Sequence, residues 1–503
     1  MSEEQKQSEN RANPTTDEFR TFVKSGWSPR SGDAPARAEV AEYAAARREK
    51  VSAHYPGERI VVPAGGLKVR SNDTDYAFRP HSAFAHLTGF GSDQEPDAVL
   101  VLEPRAEGGH DAVVFFKPWA GRESDEFFSD TRYGEFWVGG RPTLEDIEAE
   151  LGVTARHIDE FGDAVGKDAG ELGIRVVRDA DRDVAQQVDE ARASANEVEA
   201  AQAEERAQAQ QEADEELARF LSTLRLVKDE WEVGQMRLAV AATKEGFEAV
   251  LAQLRDAVAN GRGERWVEGV FGLQARHQGN GAGYDSICAS GNHATTLHWT
   301  RNTGEVNEGE LLLLDAGVEV ESLFTADITR TLPVDGTFTE TQRKIYDAVY
   351  AAQQAAMDVI KPGVTFSDIH DTAIRVIAEH LHEWGLLPEG VSVEDTLDTE
   401  HGQYHRRWMV HGTSHHLGID VHDCALARRA DYKEAKLQAG MVLTVEPGLY
   451  FKADDELVPH EFRGTGVRIE DDVLVTEDGY ENLSAAMPRT AGDVEAWIAR
   501  FRR

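Results

Sequence analysis

Acidic side chains occupy apolar, strand-like segments in the C-terminal half of the chain. Asp315 ends a run of four leucines in LLLLDAGVE, and Asp327 lies twelve residues later in a second strand-like segment, TADITRTLPV. Because an unpaired carboxylate is costly to bury, each position requires a compensating charge. If the two segments form a hairpin, both carboxylates meet at one end of a sheet.

Three further segments carry side chains of the same kind. Glu446 follows the apolar run MVLTV and precedes Pro-Gly, and Glu470 lies in the strand-like segment GVRIEDDVLVT. The segment HGTSHHLGIDVHD contains the histidines His411, His415, His416 and His422. Each such side chain alone is more often a turn, cap or core residue. The joint pattern of four carboxylates and an imidazole, in this order and in apolar settings, predicts one shared site.

Charge balance indicates what that site binds. Four carboxylates and one imidazole in a shared cavity would shift one another's pKa values strongly unless cations intervened. Two divalent ions neutralise four carboxylates, and oxygen ligands with one nitrogen and no sulfur suit Mn²⁺ better than structural zinc. Two ions about 3.5–4 Å apart polarise a peptide carbonyl and hold a bridging hydroxide that attacks it without a covalent intermediate. The pattern therefore predicts a two-metal peptidase.

Composition narrows the class of protein. The chain has 503 residues, of which 41% are hydrophobic and 29% charged, as in a globular protein of two domains. Its 91 acidic and 53 basic residues give a formal net charge of −38, so neither nucleic acid nor a membrane is an expected partner. Two cysteines, no signal-peptide pattern and no apolar run of about 18 residues predict a cytoplasmic location.

The elements that position these side chains are predicted to form two domains behind a tail. Residues 1–38 form a loose polar tail, residues 39–221 an α/β domain, and residues 222–503 an α+β domain with segregated helices and strands. The Ala-, Glu- and Gln-rich insertion 183–220 is predicted to be helical, most simply a long exposed helix, and its acidic charge indicates a solvated helix or hairpin, with a partner-binding arm as the alternative.

Local patterns predict individual elements in both domains. In the first domain the predicted strands are 59–65, 97–104 and 111–118. A helix at 143–152 is predicted to begin with a capping box formed by Thr143 and Asp146. In the second domain the predicted helices are 222–260, 263–278, 339–361 and 366–386.

Together these segments resemble the pita-bread metallopeptidases, and among them the Xaa-Pro aminopeptidases (aminopeptidase P). The resemblance covers the whole second domain and much of the first. The segments that carry it are YDSICASGNHATTLHWTRN, LLLLDAGVE, TADITRTLPV, HGTSHHLGIDVHD, LTVEPGLY and GVRIEDDVLVTEDGYENLS. It implies a catalytic α+β pita-bread domain behind a non-catalytic α/β domain. The implied reaction is hydrolysis of the bond between an N-terminal residue and a proline at position two.

The resemblance also implies a set of ligands and their roles. The implied metal ligands are Asp315, Asp327, His415, Glu446 and Glu470. In such enzymes the second Asp and the last Glu, here Asp327 and Glu470, bind both ions. Glu446 is also expected to shuttle a proton to the leaving proline nitrogen.

Further residues are implied to contact the substrate. The resemblance places His298 near the substrate's N-terminal portion and His411 near the proline, and it aims His422 at the scissile carbonyl to stabilise the oxyanion. Arg468, two residues before Glu470, is predicted to face the same side of one strand and to pin a carboxylate. Tyr284 is expected to line the pocket.

The family resemblance also implies an oligomer, and the sequence departs from the family pattern at two places. The first domain of such enzymes usually covers a neighbouring subunit's site, so a homo-oligomer, dimer or tetramer, is expected.

The spacing from Asp315 to Asp327 is one residue longer than in many relatives, which predicts a bulge or a longer turn. Ala83 stands where many bacterial relatives have Asp, so an amine-binding role is not expected at this position.

Competing functions stay open from the sequence alone. A proline dipeptidase (prolidase) shares the same ligands and differs in accepting only dipeptides. A non-catalytic peptide-binding scaffold on the same fold usually loses metal ligands, all five of which are present here. Methionine aminopeptidases usually lack so large a first domain, and creatine-hydrolysing relatives lack the ligands.

Overall fold

The structure, a computed structural model, describes residues 15–30, 32, 34–194 and 200–501. Two compact units are separated between Asp214 and Glu215, inside one long helix. The first 14 residues of the predicted tail, and residues 195–199 of the predicted helical insertion, lie outside the described part of the chain. The domain bounds inferred from the sequence stay a prediction.

A mixed five-stranded sheet forms the centre of the first unit. The strands of this unit are β1 (Arg59–Pro63), β2 (Val69–Ser71), β3 (Thr74–Asp75), β4 (Val99–Pro104), β5 (His110–Phe116), β6 (Thr154–His157) and β7 (Ile174–Val176). The central sheet has the order β6-β5-β4-β1-β7, with antiparallel pairs in the middle and a parallel pair at each edge. The three strands predicted in this region are confirmed.

Nine α-helices lie in or begin in this part of the described chain, and apolar residues of two of them, over 161–166 and 182–194, pack with the strands in one core. They are α1 (Asp17–Val23), α2 (Val40–His54), α3 (Ser82–Thr88), α4 (Glu126–Ser129), α5 (Glu135–Val138), α6 (Leu144–Leu151), α7 (Phe161–Gly166), α8 (Arg182–Ser194) and α9 (Ala200–Leu224). The capping box predicted for α6 is confirmed, since Thr143 Oγ1 accepts from the Asp146 amide at 3.1 Å and the Asp146 carboxylate accepts from the Thr143 amide at 2.8 Å. Ala83 is buried within α3.

Two expectations for this unit are wrong. The predicted loose tail contains helix α1. The insertion contains two helices, α8 and α9, and the expectation that it is exposed along its length is wrong, because Val184 and Val188 of α8 are buried in the core of the first unit. The physical reason is a buried ion pair, because Arg192 Nη2 of α8 lies 2.7 Å from Asp214 Oδ1 of α9 and ties the helices together. The Asp214 carboxylate also accepts from the Val176 amide of β7 at 2.9 Å.

Several helices of the second unit begin at capping boxes, which start at Asp229, Thr339, Thr365 and Ser392. The α-helices of this unit are α10 (Glu230–Ala252), α11 (Leu254–Ala259), α12 (Gly263–Gln278), α13 (Glu340–Asp358), α14 (Phe366–Glu383), α15 (Val393–Leu397) and α16 (Ala491–Phe501). The single helix predicted over 222–260 is wrong, since Asp229 starts α10 with a capping box and Gln253 separates α10 from α11. Predicted helix 263–278 is confirmed as α12. Capping boxes at Thr339 and Thr365 start α13 and α14 where they are predicted to start.

Short antiparallel strands make up the sheets of the second unit. They are β8 (Gly281–Ala282), β9 (Ile287–Ser290), β10 (Leu311–Ala316), β11 (Val318–Glu319), β12 (Ile328–Pro333), β13 (Val442–Val445), β14 (Gly448–Phe451), β15 (Thr465–Arg468), β16 (Asp471–Val475) and β17 (Tyr480–Asn482). They pair in the orders β12-β10-β9, β11-β8, β13-β16-β17 and β14-β15. The α+β class predicted for this part of the chain is confirmed.

The sheets of the second unit meet at the ends of β12, β15 and β16. Thr331 Oγ1 accepts from the Arg468 amide at 3.1 Å and donates to the Arg468 carbonyl at 2.9 Å. The Glu470 amide donates to the Thr329 carbonyl at 3.1 Å. Strands β10 and β12 are buried throughout. The sequence of β10, LLLLDA, is nearly all apolar, whereas β12 buries the polar side chains of Thr329, Arg330 and Thr331. In the described residues, no helix has the length and apolar character needed to cross a membrane.

Candidate metal centre and active site

Asp315 and Asp327 come together at one end of the β10–β12 pair. The strands pair antiparallel with Asp315 opposite Thr329, and Asp327 immediately precedes β12. The Tyr284 hydroxyl lies 2.7 Å from Asp315 Oδ1 and 2.5 Å from Asp327 Oδ1, so a single group links both carboxylates. Tyr284 therefore faces the same site as the two aspartates.

The long spacing between the two aspartates is accommodated in their connection. The pairing of β10 with β12 runs in continuous register, so neither strand carries a bulge. The connection instead contains β11 and a turn at Leu323, whose φ is 74°. Gly317 is required at its start, because a Cβ there would overlap the carbonyl oxygen of Ala326. Of the two predicted alternatives, the longer turn is the one observed.

His415 and Glu470 join Asp327 in one cluster. One ligand atom from each of the three residues lies within 4.8 Å of the other two. His415 Nε2 is 3.3 Å from Asp327 Oδ2, while its Nδ1 lies 3.1 Å from the His416 carbonyl oxygen. Since a carbonyl only accepts, Nδ1 donates to it. Burial acts to lower the pKa of His415, but the hydrogen bond with Asp327 and the charges of Glu446 and Asp327 outweigh it and raise that pKa, so Nε2 carries a proton towards Asp327 that a metal ion would replace.

Glu446 reaches the same cluster from the end of β13. Its Oε1 lies 3.8 Å from His415 Nε2, and its Oε2 lies 3.6 Å from His411 Nδ1. The Glu446 amide donates to the Thr413 carbonyl at 2.9 Å, which fixes the backbone where β13 ends. All five predicted ligands thus lie in one connected group.

Arg468 and Glu470 do not share a strand, and that expectation is wrong. Strand β15 ends at Arg468 and pairs with β14, whereas β16 begins after Glu470 and pairs with β13. The chain changes partner strand where Glu446 and Pro447 interrupt the facing segment. Glu470 therefore lies in the break between strands, and its carboxylate accepts from the Thr329 hydroxyl at 2.7 Å.

Arg468 binds a carboxylate of the protein itself. Its Nη2 lies 2.5 Å from Asp315 Oδ2, and both side chains are buried. Its Nη1 donates to the Tyr450 hydroxyl at 3.1 Å, and that hydroxyl lies 2.8 Å from His411 Nε2. His411 Nδ1 is 2.7 Å from the Gly412 carbonyl, so Nδ1 donates and Nε2 accepts from Tyr450. A hydrogen-bonded chain therefore connects Asp315 to His411.

The cluster contains more buried negative charge than the positive groups of the protein neutralise. Burial raises the pKa of Asp315 above its usual range and that of Glu446 to about 7. Burial, with the charges of Asp327 and Glu446, holds the pKa of Glu470 well above its usual range. Burial also acts to raise the pKa of Asp327, but the hydrogen bond and charge of His415 outweigh it and lower that pKa. Hard divalent cations match this donor set of carboxylate oxygens and one imidazole.

Two other histidines, His422 and His298, lie near the cluster. The His422 ring lies perpendicular to that of His415, with 4.5 Å between ring centroids. His298 is exposed in the loop after β9, and its charge contributes to lowering the pKa of both His411 and His422, an effect led by burial. His416 instead stacks on Phe366 in the core with 5.0 Å between centroids.

Supporting residues around these histidines were not identified from the sequence. Asp423, next to His422, lies 2.9 Å from Arg225 Nε and 3.1 Å from Lys228 Nζ, and all three are buried. These cations lower the pKa of Asp423 well below its usual range even though burial opposes them. The ion pairs anchor the loop that carries His415 and His422. Arg225 and Lys228 were not identified because the apolar pattern over 222–254 predicts a helix that includes them, whereas both residues precede the observed start of the helix.

A buried glutamate organises the loop that carries His298. Glu264 of α12 accepts from the Ser290 amide at 2.9 Å, the Trp299 indole at 2.8 Å and the Gly304 amide at 2.5 Å. Its carboxylate also lies 2.7 Å from His293 Nδ1. Acidic residues are common in the first turn of helices, so the position of Glu264 in the sequence does not indicate this role.

A cavity of about 740 Å³ opens beside His411. It lies along the outer face of α14 and the segment that precedes His411. His370 and His405 line it, and burial lowers the pKa of each to about 4. His370 Nδ1 lies 3.2 Å from the Thr413 hydroxyl, so the cavity wall continues into the backbone that holds Glu446.

A buried set of carboxylates and an imidazole at the junction of several strands is typical of a metal-dependent hydrolase. Two family matches agree with the two units: "Aminopeptidase P, N-terminal domain" over residues 44–173 and "Metallopeptidase family M24" over residues 234–477. The match to the first family lies entirely in the first unit, and the match to the second lies entirely in the second unit.

Relatives resemble the chain over nearly its whole length. Xaa-Pro aminopeptidase 2 of Streptomyces coelicolor is 48% identical over 484 residues, 96% of each chain. Xaa-Pro aminopeptidase 1 of the same organism is 49% identical over 97% of this chain and 93% of its own length. The low-pH form of Escherichia coli aminopeptidase P matches with a TM-score of 0.78 and 29% identity, over 92% of this chain and 99% of that chain.

The chain therefore belongs to metallopeptidase family M24, within its aminopeptidase P group. It is a metal-dependent aminopeptidase, a hydrolase that acts with divalent metal ions. The predicted pita-bread fold behind an α/β domain is confirmed.

Replacing Asp327 by Ala is expected to abolish peptidase activity, because this carboxylate contacts Tyr284 and His415 at the centre of the cluster. Turnover of a peptide and bound metal per chain would be measured together. Asp335→Ala is the control, since Asp335 is exposed just beyond the end of β12. Retention of most of the turnover by Asp327→Ala would remove this residue from the site.

Acid stability is expected to depend on His405. Its folded pKa of about 4 lies below the usual value of about 6.5, so the unfolded chain binds a proton that the folded chain excludes. Its contribution to stability is complete above about pH 6.5 and is lost as the pH falls towards 4. His405→Gln should lose less stability across this interval, measured by urea unfolding of the metal-free protein. Parallel losses in parent and variant would contradict the assignment.

Proposed function

We propose that the chain hydrolyses the bond between an N-terminal residue and a proline at position two of a peptide. The convergence of four carboxylates and one imidazole at the ends of β10, β12 and β13 carries this proposal. The proline specificity is supported by the identity of 48–49% to Streptomyces Xaa-Pro aminopeptidases. A proline dipeptidase is the less favoured alternative.

The centre is proposed to hold two divalent ions, with Mn²⁺ as the metal. Its ligands are proposed to be Asp315, Asp327, His415, Glu446 and Glu470. Two ions offset the charge of the four carboxylates, and the oxygen-rich donor set supports a hard cation. When bound, the ions supply Lewis acidity that polarises the scissile carbonyl and makes hydroxide available for attack at neutral pH.

Proton transfer is assigned to Glu446. Its carboxyl sits between His415 and His411 at distances of 3.8 and 3.6 Å, so it can accept a proton at one side of the site and release it at another. In the proposed reaction Glu446 receives the proton of the attacking water and passes it to the proline nitrogen as the peptide bond breaks. The products are a free amino acid and a peptide that begins with proline.

Substrate contacts are assigned to the residues around the cluster. His422 is proposed to donate a hydrogen bond to the developing oxyanion, which supports catalysis by roughly 10²–10³. His298 is proposed to contact the N-terminal residue and His411 the proline. Arg468 and Tyr284 complete the wall of the site and hold Asp315 in place.

The setting of the enzyme in the cell is also a proposal. Both cysteines, Cys288 and Cys424, are buried and free, which supports a reducing compartment such as the cytoplasm. Residues 39–221 are proposed to be non-catalytic and residues 222–503 to be catalytic. A homo-oligomer, dimer or tetramer, is proposed on the resemblance to the family.

The specificity is tested by comparing three peptides with the metal-free protein supplied with Mn²⁺. A tripeptide with proline at position two should be hydrolysed, and the same tripeptide with alanine there should be cleaved at least about tenfold less efficiently, because the proline contacts are lost. The third peptide, a dipeptide ending in proline, distinguishes the alternatives. Release of the first residue would be measured as kcat/KM.

Two outcomes would contradict the proposal. Cleavage of the dipeptide alone would assign the chain as a proline dipeptidase. Absence of cleavage of every peptide, with no bound metal, would support a non-catalytic scaffold.

A further inference from the structure

A glutamine outside the metal cluster lies between the segments that carry two of its ligands. Gln353 is on α13 and its side chain is fully buried. Its Nε2 lies 3.0 Å from the Val445 carbonyl and 3.2 Å from the Ile469 carbonyl. Each of these carbonyls belongs to the residue immediately before a predicted ligand, Glu446 in one case and Glu470 in the other.

The same amide group is satisfied on its other sides. Nε2 also lies 2.8 Å from Asp471 Oδ2, and Oε1 accepts from Arg489 Nη1 at 3.2 Å. A buried amide without partners would cost several kcal/mol, so these contacts keep Gln353 in one orientation. The amide thus connects α13 to both strand ends at once.

Arg330 holds the Glu470 segment from the opposite direction. Its Nη1 donates to the Glu470 carbonyl at 2.6 Å, and its Nη2 lies 2.7 Å from Asp471 Oδ1. The Asp471 carboxylate therefore accepts from Arg330 with one oxygen and from Gln353 with the other. The backbone before and after Glu470 is fixed on both sides.

Glu446 has fewer restraints on its own side. Its amide donates to the Thr413 carbonyl, and the carbonyl of the preceding Val445 accepts from Gln353. Gln353 is therefore the described side chain whose hydrogen bonds reach both the segment before Glu446 and the segment before Glu470.

We propose that Gln353 is a positioning residue that sets the separation between the carboxylates of Glu446 and Glu470. It acts through the backbone of both segments and contacts neither of the two carboxylates in the structure. This inference rests on the proposed function, because it assumes that both glutamates bind metal. Residues that orient metal ligands typically change metal affinity or activity by about 10–100-fold when replaced.

The test compares two neighbouring glutamines on the same helix. Gln353→Met removes the buried donor with little change in length, whereas Gln354→Met makes the same change one residue further along. Gln354 bonds to Asp358 at 2.7 Å and accepts from Arg489 at 3.2 Å, away from both glutamates. Mn²⁺ binding to each metal-free full-length protein would be measured by titration calorimetry, giving Kd and stoichiometry.

Gln353→Met should raise the Kd for Mn²⁺ by about 10–100-fold, or lose one equivalent of metal, while Gln354→Met stays within about twofold of the parent. Gln353→Asn is a second variant that keeps an amide but withdraws it by one methylene, and it should also weaken binding. Circular dichroism melting of the metal-free proteins locates a temperature at which all of them are folded. A purely structural role would lower the melting temperature and leave the Kd unchanged at that temperature.

Unchanged Kd and stoichiometry in folded Gln353→Met or Gln353→Asn would overturn the proposal. Failure of the parent to bind Mn²⁺ is a different result, which would overturn the proposed metal centre itself. The parent titration therefore separates the two failures.

Discussion

Repulsion among buried carboxylates is the constraint on which the catalytic unit depends. Tyr284 links the carboxylates of Asp315 and Asp327, the Thr329 hydroxyl donates to Glu470, and Glu446 lies 3.8 Å from His415, so the four carboxylates are held in one buried group. Burial raises the pKa of three of these groups, so the protein alone does not stabilise four negative charges in this space. Cations that bind there offset the electrostatic repulsion among the carboxylates. The free energy of metal binding is therefore coupled to the free energy of holding the carboxylates close together.

The fold supplies that preorganisation by placing the proposed ligands where strands end. Asp327 precedes β12, Glu446 follows β13, and Glu470 lies in the gap between β15 and β16. At such positions strand pairing fixes the backbone on one side of the residue. The side chain need not follow the alternation of side chains between the two faces of the sheet. Buried polar residues from helices then fix neighbouring backbone groups: Gln353 of α13 donates to the Val445 carbonyl, and Glu264 of α12 accepts from the Ser290 amide. In the proposal made for Gln353, metal affinity depends on a residue that is not itself a ligand.

Much of this arrangement could be predicted from the sequence, and the failures have physical causes. Carboxylates inside apolar runs are costly enough to be conspicuous, so Asp315 and Asp327 were identifiable without a structure. The break between Arg468 and Glu470 was not, because a change of partner strand leaves the apolar pattern continuous. Helix α8 was predicted to be exposed since its composition is polar, yet Arg192 and Asp214 neutralise each other and allow its apolar face to be buried. In both cases the structure depends on pairing between segments that are distant in the sequence, either strand with strand or Arg192 with Asp214.

Anomalous diffraction from Mn²⁺-loaded crystals tests the central electrostatic claim most directly. Two anomalous peaks about 3.5–4 Å apart are expected, enclosed by the four carboxylates and the His415 imidazole, with Asp327 and Glu470 between them. A single peak that leaves Asp315 paired only with Arg468, or no peak in this cluster, would contradict it.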